Sequence, residues 1–137
     1  MRMLRSAIIL TLLVQSSYPV IAGATDLTGT WESKYQFGPV EEVMTANIQQ
    51  VGANLLGSFS VQPALGDKYS GIIFGTVSGE KIKANYITVR AKGGKDPQVA
   101  IIFADCQVVD DNTLEGTYHV KDSDMNALSG PFKATRK

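Results

Sequence analysis

From Leu27 to Phe37 the chain alternates almost without fault, apolar or small residues at odd positions and polar ones at even positions. A period of two puts every second side chain on one face, which is the signature of a half-buried strand. Met44, Ala46 and Ile48 repeat the pattern against Thr45, Asn47 and Gln49, and Gly52-Ala53-Asn54 supplies a turn. Leu55, Gly57, Phe59 and Val61 then alternate with Leu56, Ser58, Ser60 and Gln62. A looser connection through Pro63, Gly66 and Asp67 leads into a fourth strand, Tyr69 to Val77.

Ser78-Gly79-Glu80 closes the next hairpin, and Ile82, Ala84, Tyr86 and Thr88 mark a fifth strand. The stretch Gly93 to Pro97 reads as a loop. Strands six and seven run from Gln98 to Val109 and from Asn112 to Lys121, with Asp110-Asp111 turning between them. After a turn at Asp122 to Asn126, the last strand covers Ala127 to Arg136, with Leu128, Gly130, Phe132 and Ala134 on one face. No segment carries a helical repeat.

Eight strands with short connections predict an all-β fold, an antiparallel up-and-down meander. Eight is also the number at which a closed barrel leaves room for side chains or one small ligand. Closure abolishes the two edges that an open sheet would expose. An open sandwich is the competing architecture. Gly29-Thr30-Trp31, Gly57-Ser58-Phe59 and Gly116-Thr117-Tyr118 repeat one unit, glycine then hydroxyl then aromatic, with Gly130-Pro131-Phe132 as a weaker copy. Glycine within a strand marks a bend or a close backbone approach, and a small barrel needs several.

The segment before the first strand has a different character. Arg2 and Arg5 form a basic head, Ala7 to Val14 is apolar apart from Thr11, and Ala22-Gly23-Ala24 offers small residues. That is the layout of an export signal cleaved after Ala24. A membrane anchor needs about 20 apolar residues, far more than this run contains. Residues 25–137 then form a single domain destined for a secreted or periplasmic location, with no transmembrane segment after cleavage.

Setting residues 1–24 aside leaves eleven basic and thirteen acidic residues without a basic cluster, so nucleic acid is not an expected partner. Cys106 is the single cysteine, which excludes an internal disulfide. It sits in an apolar run, where a buried inert thiol or an intermolecular disulfide are the two readings. His119, the one histidine, is expected to face solvent. No Cys/His cluster, phosphate loop or nucleophile motif is present, so the chain reads as a non-enzyme that requires neither cofactor nor metal. Asp122-Ser123-Asp124-Met125-Asn126 has the spacing of a calcium-loop start but lacks its glycine and distant glutamate, and reads as a solvated turn.

Leu27-Thr28-Gly29-Thr30-Trp31 resembles the opening strand of avidin and streptavidin, and more loosely that of lipocalins. Met44-Thr45 followed by Gly57-Ser58-Phe59 is similar to the second and third strands of that family. Asn85-Tyr86 resembles its Asn-Trp, and Phe132-Lys133-Ala134-Thr135-Arg136 its Trp-Lys-Ala-Thr-Arg. The resemblance implies a barrel with a ligand cavity, closed by Trp31 stacked on Arg136. Both residues are inward by parity and lie on strands that a closed meander makes neighbours.

The departures bear on the ligand. Ser33 stands where the family has an asparagine for the biotin ureido group, and Phe59 where it has a tyrosine. Tyr86, Tyr118 and Phe132 replace tryptophans, and the final-strand asparagine has no counterpart. Each missing buried hydrogen-bond partner costs about 1–3 kcal/mol, so the resemblance implies a container more than it implies biotin. Parity makes Ser33, Tyr35, Phe59, Val61, Tyr86, Thr88, Tyr118 and Phe132 the candidate ligand wall. The same residues also suffice to fill a small barrel with its own side chains.

On strand six Val99, Ile101 and Phe103 point opposite to Ala100, Ile102, Ala104, Cys106 and Val108, and strand four carries Ile72, Ile73 and Phe74 in succession. Strands apolar on both faces are usually covered on both, so the outer faces of strands four and six are expected to join a homo-oligomer. Three functions fit. The chain is a carrier of a small apolar or amphipathic molecule, a protein-binding barrel such as an exported protease inhibitor, or a structural, assembly-forming protein. An empty pocket lined by Tyr86 and Tyr118 favours the first. A filled barrel favours the second if its loops protrude, and the third if its outer face is broadly apolar.

Overall fold

The computed structural model describes residues 25–90, 96–121 and 128–137. The export segment, most of the Gly93–Pro97 loop, the oxygen-rich turn at Asp122–Asn126 and the expected start of the last strand at Ala127 lie outside the described residues. Eight strands follow in order: β1 Gly29–Phe37, β2 Val40–Val51, β3 Asn54–Pro63, β4 Tyr69–Ser78, β5 Lys81–Arg90, β6 Gln98–Asp110, β7 Thr113–Lys121 and β8 Ser129–Arg136. Each pairs antiparallel with the next, and β8 returns to pair with β1, so the sheet is a closed up-and-down barrel.

The seam sets Trp31 opposite Arg136 and Ser33 opposite Ala134. The Ser33 hydroxyl donates across it to the Lys133 carbonyl at 2.8 Å, and the Lys137 amide donates to the Thr30 carbonyl at 2.8 Å. Lys34 faces Lys133 on the outer side of this seam, a like-charge pair. Each turns to a carboxylate on its other flank, Lys34 toward Glu41 and Lys133 toward Glu115, both at 4.0 Å. Lys137 pairs with Glu32 across the seam at 3.0 Å, but exposed ion pairs contribute little, so the seam is held chiefly by hydrogen bonds and stacking.

The glycine–hydroxyl–aromatic units have a steric explanation. A Cβ on Gly57 would run into the Asn47 carbonyl of β2, and one on Gly116 into the Asp105 carbonyl and Cys106 of β6. High curvature brings neighbouring backbones this close, and only the absence of a side chain permits it. A register shift between Val108 and Asp110 adds a further bend at the end of β6.

Alternation decides what lies inside. Leu27, Trp31, Ala46, Leu55, Phe59, Val61, Ile73, Ile82, Ala84, Ala104, Leu114 and Ala134 form one buried cluster within the barrel. The outward positions of β1, β2, β7 and β8 include Glu32, Lys34, Glu41, Glu115, Lys121 and Lys133. The opposite half of the wall differs. There Leu56, Ile72, Phe74, Val89, Val99 and Phe103 are exposed.

Candidate functional site

One end of the barrel is sealed. The indole of Trp31 is 2% exposed, its Nε1 donates to the Leu27 carbonyl at 2.9 Å, and the Arg136 guanidinium lies 4.5 Å from the ring centroid. Arg136 Nη1 donates to the Thr28 carbonyl at 2.7 Å, and Nη2 to the carbonyls of Asp26 at 2.7 Å and Asp111 at 3.1 Å. Its Nε reaches the Asp111 carbonyl at 3.2 Å. The planar fork thus gathers three backbone carbonyls from two chain segments over the plug. Leu27, 1% exposed, packs beside it in the same cluster.

Above this seal lies a cavity of about 60 Å³. Single-water sites begin near 10–15 Å³ on the same kind of measure, so this is roughly four to six water volumes. Its lower wall comes from Leu55, Ile82 and Leu114, its middle from Ile73, Ile102 and Ala104, and its upper wall from Tyr35, Phe37, Tyr118 and Phe132. Apolar side chains predominate, the arrangement that keeps a cavity poor in water and open to apolar matter.

Five of the eight residues expected to form the ligand wall border this space: Ser33, Tyr35, Tyr86, Tyr118 and Phe132. The other three lie beside it. Phe59 packs edge-on against Tyr86 with centroids 5.4 Å apart, Val61 is fully buried, and the Thr88 hydroxyl donates to the Ser70 carbonyl at 2.6 Å. Parity put all eight inward, but curvature tucks these three behind their neighbours. The Ser33 hydroxyl is spent on the seam.

Cys106 also borders the cavity. Burial, with Asp105 nearby, pushes its thiol up to about 12, so the thiol stays protonated and unreactive at neutral pH. Withdrawal from water likewise raises Tyr86, with a smaller contribution from Cys106. His119 is exposed, as its parity requires.

Around the upper end stands a polar group that cavity parity alone did not single out. Glu42 is 2% exposed, opposite Tyr35 in the β1–β2 ladder. Its carboxylate Oε2 accepts a hydrogen bond from the Tyr69 hydroxyl, and Tyr35 is in turn hydrogen-bonded to Tyr69. Burial raises Tyr35 foremost, with Tyr69 and the Glu42 charge adding to it. Burial and Glu42 together raise Tyr118, whose hydroxyl donates to the Gln36 carbonyl. The ring of Tyr118 lies 5.6 Å from that of Tyr35 and stacks 5.9 Å from that of Phe37. Extending the inward series Ile48, Ala46, Met44 back by one step would have reached Glu42. Among the described residues, no buried side-chain nitrogen or oxygen lacks a hydrogen-bond partner.

No family model matches the chain, and no curated protein matches it in sequence. Among solved structures it is similar to a de novo designed fluorescence-activating β-barrel, with a TM-score of 0.61 and 20% identity. The match covers 83% of this chain and 96% of the designed one. At that identity the likeness is one of fold. The protein is a closed, eight-stranded, antiparallel up-and-down β-barrel.

Proposed function

We propose that the protein is an exported barrel that holds a small apolar or amphipathic molecule, and that it does so without catalysis. The observation that carries this reading is the apolar cavity of about 60 Å³ between the Trp31 plug and the tyrosine-rich rim. An interior filled by its own side chains would leave no such space. The designed barrel of similar fold is described as fluorescence-activating, which supports reading this scaffold as a container. The avidin-like motifs around Trp31 and Arg136 support the same architecture, while Ser33 and Phe59 argue against biotin as cargo.

Native mass spectrometry of protein purified from its own host tests the proposal, since it reports bound mass and chain number together. A small-molecule adduct that leaves on gentle activation is the expected result. A chain with no adduct, and no uptake of hexanol or similar short apolar probes in titration, refutes it. Export predicts a mature chain that begins at Thr25, readable from the same spectrum.

Homo-oligomerisation is a second reading, favoured by the outer face of β3 to β6. Exposed Leu56 pairs with Phe74, Ile72 lies next to Ile87, and Ile87 next to Ile101. The polar outward positions among them are Ser58, Ser60, Ser70 and Asn85, and Thr76, Lys83 and Asp105 lie at the border. Such a face meets its own image without charge repulsion, which is what a two-fold contact requires. Light scattering at micromolar concentration should give twice the single-chain mass, and Ile72→Glu should return it to one. A wild-type mass of one chain rejects this reading.

A further inference from the structure

The rim of the cavity has a chemistry that the cavity itself does not require. Hydrogen bonding within the wall explains Ser33 and Thr88, each of which spends its hydroxyl on a backbone carbonyl of a neighbouring strand. Glu42 is different. It places a carboxylate, 2% exposed, among aromatic side chains at the upper end of an otherwise apolar barrel. Burying an ionised carboxylate is costly, and a neutral side chain could equally accept the hydrogen bond from Tyr69.

Three rings border the cavity at this end, Tyr35, Phe37 and Tyr118, while Glu42, opposite Tyr35 in the β1–β2 ladder, is not itself part of the lining. Tyr118 contacts both of the others, at 5.6 and 5.9 Å between centroids, so the three form one continuous aromatic surface. The negative faces of such rings attract cations, and aromatic cages are a recurrent means of binding ammonium groups. Glu42 lies close enough to influence the hydroxyls of both Tyr35 and Tyr118. Its charge and the ring faces therefore favour positive charge at the same end of the cavity. An anionic head would be repelled there, and a neutral one would gain only apolar contact.

We propose that the barrel selects amphipathic amines, holding an ammonium head against Tyr35, Phe37 and Tyr118 near Glu42, with the apolar tail directed down toward Ile73 and Trp31. The proposal rests on the reading of the barrel as a small-molecule container and specifies the class of its cargo.

A tail-matched series tests it: hexylamine, hexanol and hexanoate, titrated by calorimetry or NMR at neutral pH. Hexylamine should bind about tenfold more tightly than hexanol, and hexanoate the most weakly. In Glu42→Gln the amine's advantage should shrink to about twofold or less while hexanol affinity stays as it was. Glu41→Gln, the same change on the exposed outer face, should leave the ranking intact and so excludes an effect of net charge. The wild-type ranking needs no variant, so it decides the matter even if Glu42→Gln does not fold. Equal binding of hexylamine and hexanol overturns the amine selectivity and leaves the container standing. An amine preference that survives Glu42→Gln unchanged also overturns it. If none of the three probes binds, the container reading falls and this proposal with it.

Discussion

The two ends of this barrel use the same materials, a charged side chain set against aromatic rings, to opposite effect. At the closed end Arg136 lies 4.5 Å from the Trp31 ring centroid, and its guanidinium nitrogens reach carbonyls of Asp26, Thr28 and Asp111. That charge is committed to backbone atoms, which ties the chain ends together. At the other end Glu42 accepts a hydrogen bond from the Tyr69 side chain, and the rings of Tyr35 and Tyr118 near it border open space. Backbone partners make a seal, whereas side-chain partners leave groups that can rearrange. Opposite charges thus stand at the two ends, one closing the barrel and the other, on the function proposed above, equipping it for a ligand.

This contrast can be broken from either side, and the closed end should show the larger effects. Trp31→Ala removes a 2%-exposed indole, and should destabilise the protein by about 3–5 kcal/mol in urea unfolding. Arg136→Met keeps much of the side chain's bulk but removes the donors to the carbonyls of Asp26, Thr28 and Asp111, of which the Thr28 contact is partly buried. A loss of roughly 1.5–3 kcal/mol is expected, read as a lower Tm. Both substitutions should depress stability before they change hexanol affinity. Altered binding at unchanged Tm would instead give these two residues a part in ligand contact.

At the open end the costs should be smaller. Tyr118→Phe keeps the ring against Tyr35 and Phe37 and loses only the hydrogen bond to the Gln36 carbonyl, a cost of about 0.5–1.5 kcal/mol in the same assay. The smallest effect concerns alkali. The Cys106 thiol is raised from 9.0 to about 12 in the folded chain, so between those values the unfolded chain releases a proton that the folded chain keeps. Stability due to this group is complete below pH 9 and declines through the interval up to pH 12, and raised Tyr35 and Tyr86 act in the same direction above pH 10. Moving from pH 8.0 to 9.5 should lower Tm by a few degrees or less. A thiol reagent at pH 8 should modify the native protein ~100-fold more slowly than the urea-unfolded chain.

Much of this architecture was legible in the pattern of residues. Alternation in Leu27–Phe37 and in Ile82–Thr88 identified strands and their inward faces, because a pleated strand presents every second side chain to the same side. The pairing of Trp31 with Arg136 followed from parity and chain order, since a closed meander makes its first and last strands antiparallel neighbours. The doubly apolar character of β4 was equally plain, with Ile73 inside and Ile72 and Phe74 outside. The site was less legible. Parity selected Phe59, Val61 and Thr88 along with the true lining residues, because it reports which face a side chain joins and not its depth within the barrel. Glu42 was passed over, since a glutamate after a turn ordinarily reads as solvated surface.

What the linear pattern determined by itself was therefore the strand content, the inward and outward faces, and the nearness of Trp31 to Arg136, whose sealing role came from the resemblance to avidins. These follow from local stereochemistry and the order of elements along the chain. Only the closed tertiary structure decided that space remains between Ile73 and Tyr118, that Phe59 fills in behind Tyr86, and that Glu42 shares one end with three tyrosines. Those outcomes depend on curvature and stagger, which bring together side chains from strands far apart in sequence, and no local rule fixes how deeply each of them reaches.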